Sequence, residues 1–388
     1  MKKISFIVKE FPSGGIERVV MNLARPLTAL GYKLYLFVYK LELEKMPSDP
    51  LPIEYIQLPY KPHSNLNKAF VEEAIRSNGI EVFFSPARFP AYLAEFKNRG
   101  LCKVVFALHS RPFYEEKEKA GAILHPKHNN LFYKIKCWLI DAPKLKSGYY
   151  YRKPRKRYRW IYENVDAFAV LFDDYGKAIA QELGIEYSGS KFVTLKNPIS
   201  PMGCMPVRQR EKCVLFVGRL SYWDKRVDRL LAAWELVQDK HCDWTLKIVG
   251  DGEEGVSLRK IVADKKLQRV FFIGFSSAPE EYYRTAEILA LSSDVEGCPM
   301  VLLEAQSCGC ATIAFDCSSG VREILSPNWR NGVYVPNDDI KAYADALSRL
   351  MGDDELRRII QANGRENIKR FSAESSAEQY HKLIERIR

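Results

Sequence analysis

Two glutamates separated by seven residues are the side chains of this sequence that most clearly suggest chemistry. Glu296 lies in a loop after an apolar run that ends near Ser292, and Glu304 lies eight positions further along. Gly297 and Pro299 follow the first glutamate, and proline is favoured at the first position of a helix. The pattern predicts a strand, a loop and a helix whose first turn offers free backbone amides.

Such a helix start is an anion site suited to a diphosphate, because its amides point outward at the positive end of the helix dipole. Glu304, one to two turns into the helix, is placed to accept hydrogen bonds from hydroxyl groups, as an acidic residue does for ribose in dinucleotide-binding folds. The residues expected to line the loop and the helix start are Gly297, Cys298, Pro299, Met300 and Val301.

These residues belong to the second of two similar runs of alternating strands and helices. An apolar strand pattern over residues 3–8 is followed by helical spacing over 20–30 and a second strand pattern over 32–39. The same order returns over residues 212–249. Repeated β-loop-α-β units build parallel sheets, so we predict an α/β fold with two doubly wound halves.

The predicted boundary between the halves lies near residue 200, where Pro198 and Pro201 favour an extended linker over a helix. The predicted domains are therefore residues 1–200 and 201–388. Parallel sheets bind ligands at the carboxyl ends of their strands, which favours a site facing that edge. The last helix, over 373–388, either closes the second domain or reaches back to the first.

The sequence Glu-Gly-x-Pro-x-x-Leu-Leu-Glu-Ala around Glu296 and Glu304 resembles the signature of glycosyltransferase family 4, whose members are retaining enzymes with the GT-B fold. Residues 216–220 together with Lys225 are similar to the segment of that family that carries its diphosphate-binding Arg and Lys. Residues 14–18 look like the family's glycine-rich loop that faces the donor.

The resemblance implies a role for each matching residue. Glu296 would bind hydroxyls of the donor sugar and Glu304 the ribose, while Arg219 and Lys225 would neutralise the diphosphate and the charge that grows on the leaving group. His109, after the strand pattern over 104–108, occupies the position of a family active-site histidine. Gly15 and Gly218 complete the expected donor-binding set, with the residues around Gly297 given above.

The implied reaction is transfer, with retention of configuration, of a hexose or N-acetylhexosamine to a glycan or glycolipid of the cell surface. UDP-sugar is the family-level preference for the donor. The resemblance implies no metal and no cofactor, which the lack of an Asp-x-Asp sequence fits. Cys298 and Val321 depart from the family pattern and leave the identity of the sugar open.

Two other functional classes stay open from the sequence alone. A nucleotide-sugar epimerase or a phosphorylase could use the same fold, and it would differ in its product or in a need for inorganic phosphate. A protein that binds nucleic acid would fit the net charge of +11, although it would leave Glu296 and Glu304 unexplained.

Residues 144–160 form a basic and aromatic segment without a single acid. Mixed basic and aromatic side chains suit an anionic membrane surface, so the sequence predicts contact with such a surface at this segment. A solvated insertion is the alternative.

No apolar run approaches the ~18 to 20 residues needed to cross a bilayer. Nine scattered cysteines favour free, buried thiols in a reducing compartment. We therefore expect a cytoplasmic protein, peripheral on the inner face of the cytoplasmic membrane.

Overall fold

The computed structural model describes residues 1–12, 14–60, 66–86, 89–114, 123, 135–199 and 210–388. These residues form two compact units. The first comprises Met1–Pro112, Lys153–Ser200 and Arg370–Arg388, and the second comprises Phe113–Arg152 and Pro201–Lys369. The division differs from the predicted domains in two places, since the described part of Phe113–Arg152 groups with the second unit and Arg370–Arg388 with the first. The predicted boundary near residue 200 falls outside the described residues.

The first unit is built on a parallel sheet of seven strands in the order β3-β2-β1-β4-β5-β6-β7. A parallel sheet with both faces covered has strands that are apolar along nearly their whole length. The first strand fits this rule, because residues 4 to 8 are buried without a break. The strands are β1 Lys2–Phe11, β2 Tyr32–Leu41, β3 Ile53–Gln57, β4 Val82–Pro86, β5 Lys103–Leu108, β6 Ala167–Val170 and β7 Phe192–Thr194.

The second unit has its own parallel sheet of six strands in the order β10-β9-β8-β11-β12-β13. The two predicted doubly wound halves are therefore confirmed as Rossmann-like sheets. The strands are β8 Glu211–Val217, β9 Thr245–Val249, β10 Val270–Gly274, β11 Ala286–Leu291, β12 Ala311–Phe315 and β13 Val333–Val335.

Helices follow most strands, as the alternating sequence pattern predicts. A π-helical turn, Cys137–Asp141, precedes the fourth helix, and short 3-10 turns cover Leu43–Lys45 and Ile368–Phe371. The helices are α1 Gly15–Ala29, α2 Asn67–Asn78, α3 Tyr92–Asn98, α4 Ala142–Lys146, α5 Tyr149–Glu163, α6 Asp173–Leu183, α7 Val227–Val237, α8 Gly255–Asp264, α9 Glu280–Thr285, α10 Met300–Ser307, α11 Ser319–Leu325, α12 Ile340–Gly352, α13 Asp354–Asn367 and α14 Ala373–Ile387.

The last helix belongs to the core of the first unit. Four side chains of α14 are buried in the same apolar cluster as α1 and the central strands, namely Ala377, Tyr380, Leu383 and Ile384. The Tyr380 ring lies 5.1 Å from that of Phe84 and 6.0 Å from that of Phe6. Of the two expectations for this helix, the structure therefore shows the one in which it returns to the first half.

Three of the described cysteines differ from the prediction of free, buried thiols. Cys242 is exposed and Cys298 is half-buried, although both are free. Cys308 is disulfide-bonded. Among the described residues, no helix is both long enough and apolar enough to cross a membrane.

Candidate functional site

The loop after β8 is held against the loop after β9 by backbone contacts that only glycine allows. Gly218 donates its amide to the carbonyl of Val249, and Leu220 donates to the carbonyl of Asp251. A Cβ atom on Gly250 would lie 1.8 Å from the Gly218 carbonyl oxygen, and the φ of Gly250 is +141°. This close approach fixes the path of the chain that carries Arg219 and Lys225.

Lys225 and Glu296 form a largely buried ion pair at the carboxyl edge of the second sheet. The Lys225 Nζ lies 2.7 Å from Glu296 Oε1, and the two side chains are 20% and 8% exposed. Burial, the largest single effect, would lower the pKa of Lys225, but the charge of Glu296, its hydrogen bond and the charge of Asp224 together raise the pKa, so the amine stays charged. The structure thus joins two residues that lie 71 positions apart in the sequence.

Arg219 lies beside this pair and is oriented by Asp224. Its Nη2 donates to Asp224 Oδ2 at 2.8 Å, while 52% of the Arg219 side chain stays exposed. The Ser221 hydroxyl donates to the other oxygen of the same carboxylate. A cation with one fixed partner and an exposed face can bind a further anion without rebuilding the loop.

The loop after β11 is tied to the same segment. Ser292 donates its hydroxyl to the Lys225 carbonyl at 2.9 Å, and the Asp294 amide donates to the Asp224 carbonyl at 2.8 Å. These bonds bring the loops after β8 and β11 together and set the position of Glu296, which follows two residues later.

Helix α10 begins one residue later than the sequence predicts. Pro299 precedes the helix in an extended conformation, with ψ of 92°, and Met300 is the first helical residue. Met300 and Val301 therefore supply the first amides of the helix, which have no acceptor within it. Glu304 lies just beyond the first turn and accepts a hydrogen bond of 2.9 Å from the buried Tyr283 hydroxyl.

Asp224 and Arg229 also belong to the site, although the sequence patterns do not identify them. Asp224 is 6% exposed and organises Arg219, and its place directly before Lys225 was the signal that could have identified it. Arg229 is 5% exposed on α7, lies 2.9 Å from Asp338 and 3.7 Å from Asp294, and so joins the loops after β11 and β13. No sequence pattern marks Arg229, because its partners lie far away in the chain.

Gly297 and Cys298 lie in the loop between β11 and α10. The first unit carries Gly15 and His109, each after a strand end of its own sheet. Gly15 is the first residue of α1, and a Cβ atom there would meet nothing within 4 Å. His109 follows β5 and places its Nδ1 2.8 Å from Asn197 Oδ1. An amide oxygen only accepts hydrogen bonds, so Nδ1 carries the hydrogen and Nε2 accepts in the neutral ring. Burial lowers the pKa of His109 and favours this neutral form.

The basic segment 144–160 lies on α4 and α5, with most of its cationic side chains exposed. Tyr158 is buried, whereas Tyr149 and Tyr151 of the same segment are exposed. Arg155 pairs with Glu182, and Arg159 donates to the Leu183 carbonyl, which ties these two arginines to α6. Within the described part of the chain, no group of three or more His, Cys, Asp or Glu side chains is placed to hold a metal ion.

The part of the chain that carries this site matches a known protein family. Residues 206–367 match the family model described as glycosyl transferases group 1. This stretch resembles a glycosyltransferase domain. It contains Arg219, Lys225, Glu296 and Glu304, so the matched region is the one that carries the ion pair and the helix start.

Individual relatives extend the similarity along the chain. The chain is 25% identical over 398 residues to an undecaprenol-diphosphate-linked-glycan α-1,4-N-acetyl-D-galactosaminyltransferase of Campylobacter jejuni, covering 100% of this chain and 99% of the relative. It is 35% identical over 151 residues to the amylovoran biosynthesis glycosyltransferase AmsD of Erwinia amylovora, covering 39% and 41%. The chain spans only 23% to 52% of the length of four relatives to which it is 30% or more identical.

Solved structures agree on the fold. The Anabaena protein Alr3699/HepE, solved in complex with UDP, superposes with a TM-score of 0.70 at 18% identity and covers 99% of this chain and 100% of its own. The predicted GT-B architecture, with two Rossmann-like domains, is therefore confirmed.

Proposed function

We propose that this chain is a retaining, metal-independent glycosyltransferase that uses a nucleotide-diphosphate sugar. The donor is a UDP-sugar, and the group transferred is a hexose or an N-acetylhexosamine. The observation that carries this proposal is the buried Lys225–Glu296 ion pair next to Arg219 at the carboxyl edge of the second sheet. A charged pair taken out of water contributes little to the stability of the fold by itself. Because this pair lies at the carboxyl edge of a parallel sheet, where ligands bind, a functional role is favoured.

In this proposal the diphosphate is bound by two cationic side chains and the positive end of a helix dipole. Arg219 and Lys225 contact its oxygens, and the amides of Met300 and Val301 add the positive end of the α10 dipole. The carboxylate of Glu304 accepts hydrogen bonds from the ribose hydroxyls, and Glu296 accepts from hydroxyls of the sugar. No metal ion is needed, because these groups supply the charge that a cation would otherwise supply.

The reaction is a displacement at the anomeric carbon on the face from which the diphosphate leaves. The bond between that carbon and the β-phosphate oxygen breaks, and a bond to the acceptor hydroxyl oxygen forms on the same face. The hydroxyl proton passes to the departing β-phosphate. Negative charge grows on the diphosphate as the bond breaks, so Arg219 and Lys225 stabilise the transition state more than the bound donor.

The acceptor is a glycan or a lipid-linked glycan of the cell surface. The names of the relatives support this class, since they include an undecaprenol-diphosphate-linked acceptor in Campylobacter jejuni and a lipopolysaccharide 1,6-galactosyltransferase in Salmonella typhimurium. Such acceptors are anchored in a membrane. We therefore also propose that the protein is cytoplasmic and contacts the anionic inner face of the cytoplasmic membrane through residues 144–160.

A thermal-shift titration with UDP, GDP, ADP and CMP, each without metal, tests the donor site. A ligand that binds only the folded state stabilises it by about 2.7 kcal/mol at a hundred times its Kd. UDP is expected to raise the melting temperature of the wild type, and Glu304→Ala is expected to reduce that shift. Equal shifts for all four nucleotides, or for none, would contradict the assignment.

Arg219→Ala tests the catalytic role. We expect kcat for sugar transfer to fall by about 10² to 10³, the loss found when one transition-state hydrogen-bond donor is removed. The melting temperature should hardly change, because the side chain is half-exposed. Arg358→Ala, at an exposed position on α13, is the matched control. Unchanged kcat in Arg219→Ala would exclude the proposed stabilisation of the leaving group.

A further inference from the structure

The turn that precedes the basic segment exposes four large apolar side chains. Ile135, Trp138, Leu139 and Ile140 lie in or beside the π-helical turn Cys137–Asp141, with exposed fractions of 43%, 74%, 57% and 45%. We call these four residues the apolar ridge. Single exposed apolar residues are normal on a protein surface, whereas a cluster of large ones marks an interaction surface.

Within residues 135–152, the exposed charged side chains are all cationic. Lys136 lies within the ridge, and Lys144, Lys146 and Arg152 are exposed on the helices that follow it. The one acid between residues 135 and 152 is Asp141, which is half-buried and accepts a hydrogen bond of 2.5 Å from the Tyr150 hydroxyl. The surface therefore combines apolar area with positive charge and suits an anionic partner.

The side-chain types favour a lipid surface over an acidic protein. Tryptophan has an apolar ring and a polar N–H, and lysine has an apolar stem and a charged end, so both suit the graded polarity between acyl chains and headgroups. Helix α4 has five residues, and no helix in the described part of the chain is suited to spanning a bilayer. A short apolar ridge of this kind suits the membrane–water interface and does not cross the bilayer.

We propose that the apolar ridge inserts into the headgroup region of an anionic lipid leaflet, while Lys136, Lys144 and Lys146 contact the lipid phosphates. This inference rests on the membrane contact proposed above for residues 144–160 and names the element that anchors it. The depth of attachment then depends on residues 135–140, which precede the basic segment. The charged helices mainly provide attraction, and the apolar ridge provides insertion.

Flotation of the full chain with vesicles tests the proposal, using phosphatidylcholine alone and phosphatidylcholine mixed with phosphatidylglycerol. The wild type is expected to float with the mixed vesicles and to remain unbound with the neutral ones. Leu139→Ser should weaken binding by about tenfold, because one large apolar side chain no longer enters the lipid. The double variant Lys144→Gln with Lys146→Gln should weaken binding as well and should reduce its salt dependence, while Lys136 and the cations of α5 retain the rest.

Matched controls lie elsewhere in the second unit. Leu236→Ser removes a leucine that is 61% exposed on α7, close to the 57% of Leu139, and should leave binding unchanged. Lys240→Gln with Lys260→Gln removes two exposed lysines away from the ridge and should also have no effect. If Leu139→Ser bound as tightly as Leu236→Ser, attachment would be electrostatic only and insertion would be excluded.

The same samples separate this inference from the proposed function, because the UDP thermal shift requires no lipid. A wild type that responds to UDP but binds neither type of vesicle would overturn the membrane anchor and leave the donor site intact. A wild type that floats as expected but responds to no nucleotide would support the anchor and contradict the donor site. Equal flotation with neutral and anionic vesicles would overturn the role given to the lysines.

Discussion

Lys225 and Glu296 are the charged side chains on which the proposed site depends. Both side chains are largely shielded from water, and Lys225 Nζ lies 2.7 Å from Glu296 Oε1. Desolvation of two charges costs several kcal/mol per ion before their attraction is counted, so such a pair is a weak means of stabilising a fold. The desolvation cost of this ion pair is explained if the two charged groups are preorganised for a ligand that carries both phosphates and hydroxyls.

His109 permits a residue-scale prediction about pH. Its pKa in the folded chain is lowered by burial from the ordinary value of 6.5. Protonation therefore favours the unfolded chain, so the contribution of His109 to stability is complete above about pH 6.5 and declines as the pH falls below it. NMR titration of the His109 ring should give a pKa below 6.5, and His109→Gln should reduce the loss of stability between neutral and mildly acidic pH.

His381 provides the comparison, because it also lies in the first unit and its Nδ1 is 2.8 Å from the Tyr32 hydroxyl. His381→Gln should leave the part of the pH dependence that belongs to His109 in place. If the His109 ring titrated at or above 6.5, the neutral form and its assigned tautomer would both be wrong.

At the scale of elements, the loops after β8 and β9 meet at one glycine. Gly250→Ala would place a Cβ atom 1.8 Å from the Gly218 carbonyl oxygen, and no side-chain rotation can relieve a clash with backbone. We expect a loss of about 3 kcal/mol or more in the free energy of unfolding, measured by urea denaturation. Loss of UDP binding should accompany it, because the displaced loop carries Arg219 and Lys225.

Gly255→Ala is the control for this change. The nearest atom to a Cβ there is Leu220 Cδ1 at 3.7 Å, an ordinary contact, and the residue begins helix α8. Alanine is a better helix former than glycine, so stability should stay within about 1 kcal/mol of the wild type. Similar losses in both variants would show that the close backbone approach at Gly250 is not what holds the two loops.

At the scale of the whole molecule, helix α14 belongs to the same unit as strand β1. Tyr380 on α14 is buried against the aromatic side chains of β1 and β4. Tyr380→Ala should therefore destabilise the first unit by about 3–5 kcal/mol, the range for aromatic residues removed from cores. Hydrogen exchange should show reduced protection in β1 and β4, with the protection of β8 and β11 retained.

Lys382→Ala, at an exposed position of the same helix, should leave hydrogen exchange unchanged in both units. Loss of protection confined to the second unit in Tyr380→Ala would contradict the assignment of α14 to the first.

Local sequence determined the strands, the helices and much of the proposed donor site. Apolar runs and helical spacing act over short distances, so β8, α7 and β9 follow from pattern, and the fold class follows from their repetition. The stretch from Glu296 to Glu304 was identifiable because its loop, helix start and acids are contiguous. Arg219 and Lys225 were found by resemblance, because their chemistry alone does not distinguish them from other surface cations.

Only the tertiary structure decided which distant residues meet. The pairing of Lys225 with Glu296 joins the loops after β8 and β11, two strands that are adjacent in the sheet but far apart in the sequence. Arg229 likewise meets Asp294 and Asp338, which lie far along the chain. Asp224 orients a near neighbour, Arg219, but its carbonyl is also bound by the distant Asp294 amide. The return of α14 and the exposure of the apolar ridge have the same origin, since α14 and residues 135–140 both carry several large apolar side chains. Whether such a segment is buried or left in solvent depends on what the rest of the chain packs against it, and this information is not local.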